Sequence, residues 1–236
     1  MSEKQVTVEA VETNEAVEKA KDFWARFSKP IIYVGSAFIL LVGGWYGYNK
    51  FVKEPNEAKA ADMIFPAEQL FDKMAQQGNF NKDSINLVLN GGNGISGGVL
   101  KVISNYGGTS AGNRAHFIAG ACYLHSKDFN NAIKHLKDFS TPATQVQASA
   151  YSLLGDAYAE QKKNDEAFDY YKKAASVNTK DEFMAPEALF RAALFAESIN
   201  KSSEAIELFK KIKDEYPKSS HANDVDKYLA RLGVLN

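Results

Sequence analysis

The sequence predicts an all-α protein in which a single N-terminal transmembrane helix is followed by an α-solenoid of helix pairs and a C-terminal capping helix. Three observations lead there. A sparse pattern of small residues followed by aromatic or large apolar ones recurs three times between Asn113 and Pro217. Residues 30–48, PIIYVGSAFILLVGGWYGY, form an apolar run of 19 without a charge. After Pro217, Val225, Tyr228, Leu229 and Leu232 recur at helical spacing, as expected of a helix that closes the open end of a stack.

The repeat is the most specific of the three. One unit starts at Ala148 and carries Tyr151, Leu154, Gly155, Tyr158, Ala167, Tyr171 and Ala174. Another starts at Asn113, with Ala119, Gly120, Tyr123, Ala132, Leu136 and Phe139. A third starts at Pro186, with Leu189, Ala192, Ala193, Ala205, Phe209, Ile212 and Pro217. The starts lie 35 and 38 residues apart. This spacing resembles the tetratricopeptide (TPR) repeat, whose W-x2-L-G-x2-Y and A-x3-F signature recurs about every 34 residues. The small residues have a physical reason: helix A lies close against its own helix B, and a side chain at Gly155 or Ala193 would push the axes beyond about 8 to 10 Å.

Residues 30–48 would rise about 1.5 Å each, close to the roughly 30 Å hydrocarbon core of a bilayer. Trp45, Tyr46 and Tyr48 collect at one end, with Trp24 and Phe27 before the other, as interfacial aromatic belts do. Some 29 mostly polar residues precede the run and no small-x-small site directly follows it, so an uncleaved anchor is expected in place of a signal peptide. Lys19, Lys21, Arg26 and Lys29 precede it and Lys50, Lys53 and Lys59 follow, a bias of one cation toward an N-inside orientation.

The organisation read along the chain is a tail over 1–29 with an amphipathic helix, the transmembrane helix over 30–48, a degenerate first helical pair over 56–112, three repeats over 113–217 and a capping helix over 218–236. Residues 1–14 are polar and acidic, a composition expected of a disordered tip. From Asn14, Ala16, Ala20, Phe23, Trp24 and Phe27 follow a helical period that suits a membrane surface. In the degenerate pair, Ala60, Ile64, Ala67, Leu70, Phe71 and Met74 form one stripe, with Pro66 as a candidate kink. Gln77 to Gly98 holds six glycines and is read as a non-helical excursion. Ser219 or Ser220 is the expected cap of the last helix.

Composition excludes several function classes. A net charge of −1, with no basic run, argues against a nucleic-acid partner. The single cysteine, Cys122, has no disulfide or metal partner and reads as a small buried residue. His116 occupies the first aromatic position of its repeat and reads as core; His125, His135 and His221 show no ligand spacing. Gly91-Gly92-Asn93-Gly94 matches neither a P-loop nor a dinucleotide fingerprint. No catalytic, cofactor-binding or metal-binding residue is therefore assigned, and a non-enzymatic role is expected.

The TPR resemblance implies that helix A of each unit lines a concave groove. Carried residue by residue, its inward positions fall on Arg114, Phe117, Ala121, Leu124 and His125; on Ser149, Ser152, Asp156, Ala159 and Glu160; and on Glu187, Phe190, Leu194, Glu197 and Ser198. The strongest protein-binding candidates are Arg114, Phe117, Leu124, Ser152, Asp156, Glu160, Glu187, Phe190 and Glu197. That set makes a mixed groove, acidic in its later part. The Lys and Asn carboxylate clamp of some TPR domains is missing at the matching positions, so apolar and basic segments fit better than acidic tails.

From about residue 15 to the end, the order of parts, with the stretches DSINLVLNGGNG and NYGGTSAGNRAHFIAGACYL, resembles the bacterial membrane-anchored TPR proteins similar to the ancillary subunit of the Sec translocon. The resemblance implies an inner-membrane location with the N-terminus in the cytoplasm and the C-terminal domain in the periplasm. The partners it implies are Sec translocon subunits, a periplasmic prolyl-isomerase-like chaperone and exported polypeptides, with membrane lipid around the anchor. A TPR scaffold for cell-envelope assembly or division, unrelated to export, is the alternative.

Overall fold

The computed structural model describes residues 3–234, with side chains from Val17 onward, and it is all-helical with no strand among the described residues. The chain divides into two compact units, one up to Pro55 and one from Asn56.

The first unit is one long helix, α1 (Glu3–Tyr48), followed by a π-helical turn, Asn49–Lys53. The disordered tip expected over 1–14 is helical from Glu3, and residues 1 and 2 lie outside the described residues. Glu3, Lys4, Gln5, Glu9, Ala10 and Glu12 are good helix formers, and polarity alone does not separate an exposed helix from coil. Pro30 sits inside α1 and does not divide an amphipathic helix from an anchor. Ile39, Leu40 and Leu41 are 70 to 75% exposed, so within the unit nothing covers the apolar run. Lys50 donates to Glu54 at 2.7 Å across the π turn.

The second unit opens with α2 (Glu54–Gln77), α3 (Lys82–Asn90) and α4 (Val99–Tyr106). Ala60, Ile64, Ala67 and Met74 of α2 are buried on one face, and the helix passes through Pro66. A full helix, α3, lies inside the stretch read as non-helical. Asn81 caps it, accepting from the Ser84 amide at 2.9 Å, and Ile85, Val88 and Leu89 bury its inner face. The first segment thus holds three helices where a pair was expected.

Of the six glycines that hid α3, Gly78 ends α2 at φ 63° and the other five act after α3. Gly92 and Ile95 exchange backbone hydrogen bonds of 2.9 and 3.0 Å around Asn93 and Gly94, both at positive φ, as in a tight hairpin turn. Gly98, which starts α4, sits where a Cβ would lie 2.3 Å from the Leu89 carbonyl oxygen. The excursion is therefore a packed corner.

Three helix hairpins follow: α5 (Ser110–His125) with α6 (Phe129–Asp138), α7 (Thr144–Glu160) with α8 (Asn164–Ser176), and α9 (Met184–Ser198) with α10 (Ser202–Glu215). Their turns share one geometry. Lys127, Lys162 and Asn200, each the fifteenth residue of its unit, adopt φ of 64, 59 and 61°. The next amide in each, from Asp128, Lys163 or Lys201, reaches back to Tyr123, Tyr158 or Ala196 at 2.8 to 3.0 Å. This is the left-handed closure that satisfies the last carbonyls of a helix.

Each hairpin closes around the small residue predicted for it. A Cβ on Gly120 would lie 2.5 Å from Leu136, and one on Gly155 would lie 2.6 Å from the Tyr171 ring; Ala193 is fully buried. The core forms three clusters along the stack: α2 to α5, then Leu136, Leu154, Tyr158, Tyr171 and Ala192, then α8 to the last helix. That helix, α11 (Ala222–Arg231), buries Val225 and Leu229, and the Ser219 hydroxyl accepts from the Ala222 amide at 3.2 Å. Burying a side chain of the size of Leu229 contributes about 2 kcal/mol.

Candidate protein-binding surface

The sequence-derived site residues lie on α5, α7 and α9, as expected of helices A, but neighbouring residues rewrite their chemistry. Arg114 donates from Nε to Glu68 of α2 at 2.6 Å, which raises its pKa further and leaves its charge neutralised. Asp156 accepts from Arg191 of α9 at 2.5 and 2.7 Å, and from the Tyr171 hydroxyl. Burial, and then the Asp156 carboxylate, push the Tyr171 pKa up. Glu197 accepts from Arg231 of α11 at 2.6 Å, and Glu187 lies 2.6 Å from His221 Nε2. The acid predicted for the later groove is thus largely matched by base from the next element. Glu160 is exposed and Leu124 half-buried, and Leu124 contributes to none of the grooves below.

Three of these pairs obey one rule. Asp156–Arg191, Glu187–His221 and Glu197–Arg231 are separated by 35, 34 and 34 residues, one repeat period. An acid-to-base offset of one period was visible in the sequence and would have located Arg191, His221 and Arg231.

Three grooves lie between neighbouring elements. The first, of about 470 Å³, is formed by α2, α5 and the start of α7, with Phe71, Phe117, Phe139 and Val146 against Asp72 and Arg114. The second, about 300 Å³, joins α7 and α9 and is more polar, with Ser149, Ser152, Glu187 and Arg191. The third, about 490 Å³, lies between the start of α9 and residues 218–221 beside the exposed Phe183. Phe117 thus lines an open groove, with its ring 5.2 Å from Phe139. Phe190 does not: its ring stacks on His221 at 4.3 Å and meets Tyr228 edge-on at 5.1 Å.

Three of the four histidines lie on the α5–α6 hairpin. His116 and His125 share α5, and His116 Nδ1 lies 3.2 Å from His135 Nδ1 of α6. Burial lowers both pKa values; Lys134 depresses both further, His116 adds to the effect on His135, and Asp138 opposes it. His125 stacks on Phe80 at 3.6 Å. Cys122 is buried and its thiol is pushed up to about 12 by that burial, which makes it unreactive. Among the described residues no group of three or more histidines, cysteines or carboxylates could hold a metal ion.

Comparison with known proteins agrees with this architecture. Profiles of the tetratricopeptide repeat match residues 148–181 and 187–219, within one residue of two of the unit starts. No curated protein matches at a significant level. Two crystal structures of MamA show partial similarity: one is 22% identical, covering 70% of this chain and 85% of its own, with a TM-score of 0.48. The other is 21% identical, covering 73% and 91%, with a TM-score of 0.46. Residues 148–181 and 187–219 are thus tetratricopeptide repeats, a module of protein–protein interaction.

Proposed function

We propose that this protein is a non-catalytic, membrane-anchored TPR scaffold that works beside the Sec translocon. In this reading residues 30–48 cross the inner membrane with the N-terminus in the cytoplasm. The repeats, counted as three from Asn113, stand in the periplasm and offer their helix-A face to exported chains or to a prolyl-isomerase-like chaperone. The observation that carries it is the pairing of an unburied apolar helix, long enough to cross a bilayer, with a TPR unit that keeps an open apolar groove at Phe117. The export assignment rests on the order of parts shared with translocon-associated TPR proteins.

A photo-crosslinking amino acid in place of Val146, in the full chain in native membranes, tests this directly. Adducts with translocon subunits, exporting polypeptides or the chaperone are expected. Adducts confined to wall-synthesis or division proteins would replace this reading with an envelope-assembly scaffold. A reporter fused after Asn236 that is active only in the periplasm should be active; activity of a cytoplasmic reporter would overturn the topology.

A further inference from the structure

The first groove differs from the other two in having three phenylalanines along its walls, Phe71, Phe117 and Phe139. Its volume of about 470 Å³ falls within the roughly 300 to 1,000 Å³ of sites that take small ligands or anchor side chains. The groove is also held open by its frame. Asn113 donates to the Ser140 carbonyl at 2.8 Å and accepts from the Ser140 amide at 3.2 Å, while the Thr141 amide donates to Gln147 at 2.9 Å. These bonds fix the α6–α7 turn that carries Phe139, so the walls need little reordering to receive a guest.

Charge decides which guest. The groove's one cation, Arg114, is already held by Glu68. Asp72, on the same wall one turn beyond Glu68, makes no ion pair among the described residues. An acidic segment would meet a free carboxylate and no available cation; a basic one would meet a free carboxylate at the mouth of an apolar slot.

We infer that this groove takes a short extended segment in which a large apolar side chain is flanked by lysine or arginine. The apolar group enters between Phe71, Phe117 and Phe139, and the cation pairs with Asp72. The inference rests on the protein-binding reading above and specifies its ligand chemistry. It requires neither the translocon nor the membrane orientation.

The test uses the full chain in nanodiscs and three fluorescein-labelled peptides, GKLFKG, GELFEG and GKSSKG, read by anisotropy. GKLFKG should bind about five-fold more tightly than GELFEG, the scale of one partly screened charge pair, and GKSSKG should bind far more weakly than either. Asp72→Lys should reverse the order of the two LF peptides, which a loss of folding could not do. Val146→Asn, at a position 40% exposed, should weaken GKLFKG and GELFEG alike without altering the circular dichroism. Equal binding of the two charged LF peptides, an unchanged order in Asp72→Lys, or GKSSKG binding as tightly as GKLFKG would overturn the inference. Export crosslinks without this preference would leave the scaffold reading standing alone; the preference without export crosslinks would leave only the groove.

Discussion

Phe117 and Phe190 occupy the same position of their repeats, the fifth, and meet opposite fates. Phe117 faces a groove that the start of α7, with Ala143 and Val146, leaves open. Phe190 is covered by His221 and Tyr228, which α11 and its preceding turn bring against it. In a stack whose members touch only their neighbours, a helix-A side chain is ligand-facing or core according to the next element. Repeat position alone does not settle it.

That contrast can be broken from the sealed end first. Leu229→Ala should cost about 3 kcal/mol by opening a cavity under the capping helix, and Phe117→Ala distinctly less, because its groove is already open. Chemical denaturation of the two variants gives the comparison; equal losses would show that Phe117 is core after all.

A smaller effect sharpens the difference through pH. His116 and His135 are held below the ordinary histidine range, chiefly by burial, so the folded chain binds protons there more weakly than the unfolded one. Their stabilising contribution is complete above the unfolded value of about 6.5 and is lost as pH falls below it toward the folded values. His125 on α5 is lowered too, by burial, with Asp156 opposing. The melting temperature should therefore drop between about pH 7.5 and pH 5.5, and His135→Gln should flatten that drop. Asp138→Asn, which removes the opposing carboxylate, should steepen it. An unchanged slope in both variants would place the response elsewhere.

The smallest expected effect concerns the turns. Lys127→Gly and Lys162→Gly should each stabilise by about 0.5 to 1 kcal/mol, because glycine adopts positive φ without strain. Similar gains at both would show the open-end hairpin to be as regular as the one beside it. Thermal melts of the single variants would resolve this.

The hairpins were legible because Gly120, Gly155 and Ala193 sit at contacts where nothing larger fits, and such contacts repeat with the fold. Helix α3 was not, because Asn81, Ile85, Val88 and Leu89 lie between Gly78, which ends α2, and the glycines of the corner after α3. The candidate groove was half legible: Phe117 followed from its repeat position, but Phe71, Asp72 and Val146 come from flanking elements that carry no repeat signature. The meeting of His116 with His135 was hidden because 19 residues and a turn separate them. Their contact is a consequence of the Gly120–Leu136 approach.

The ion pairs between successive helices have a mechanical side. Glu68–Arg114 ties α2 to α5, Asp156–Arg191 ties α7 to α9, and Glu197–Arg231 ties α9 to α11. They act as stays between successive helices: separating those helices must stretch them, whereas closing them up need not. Among the described residues no such stay joins α5 to α7. A stretched array would give first at that interval, the one whose mouth holds Phe117.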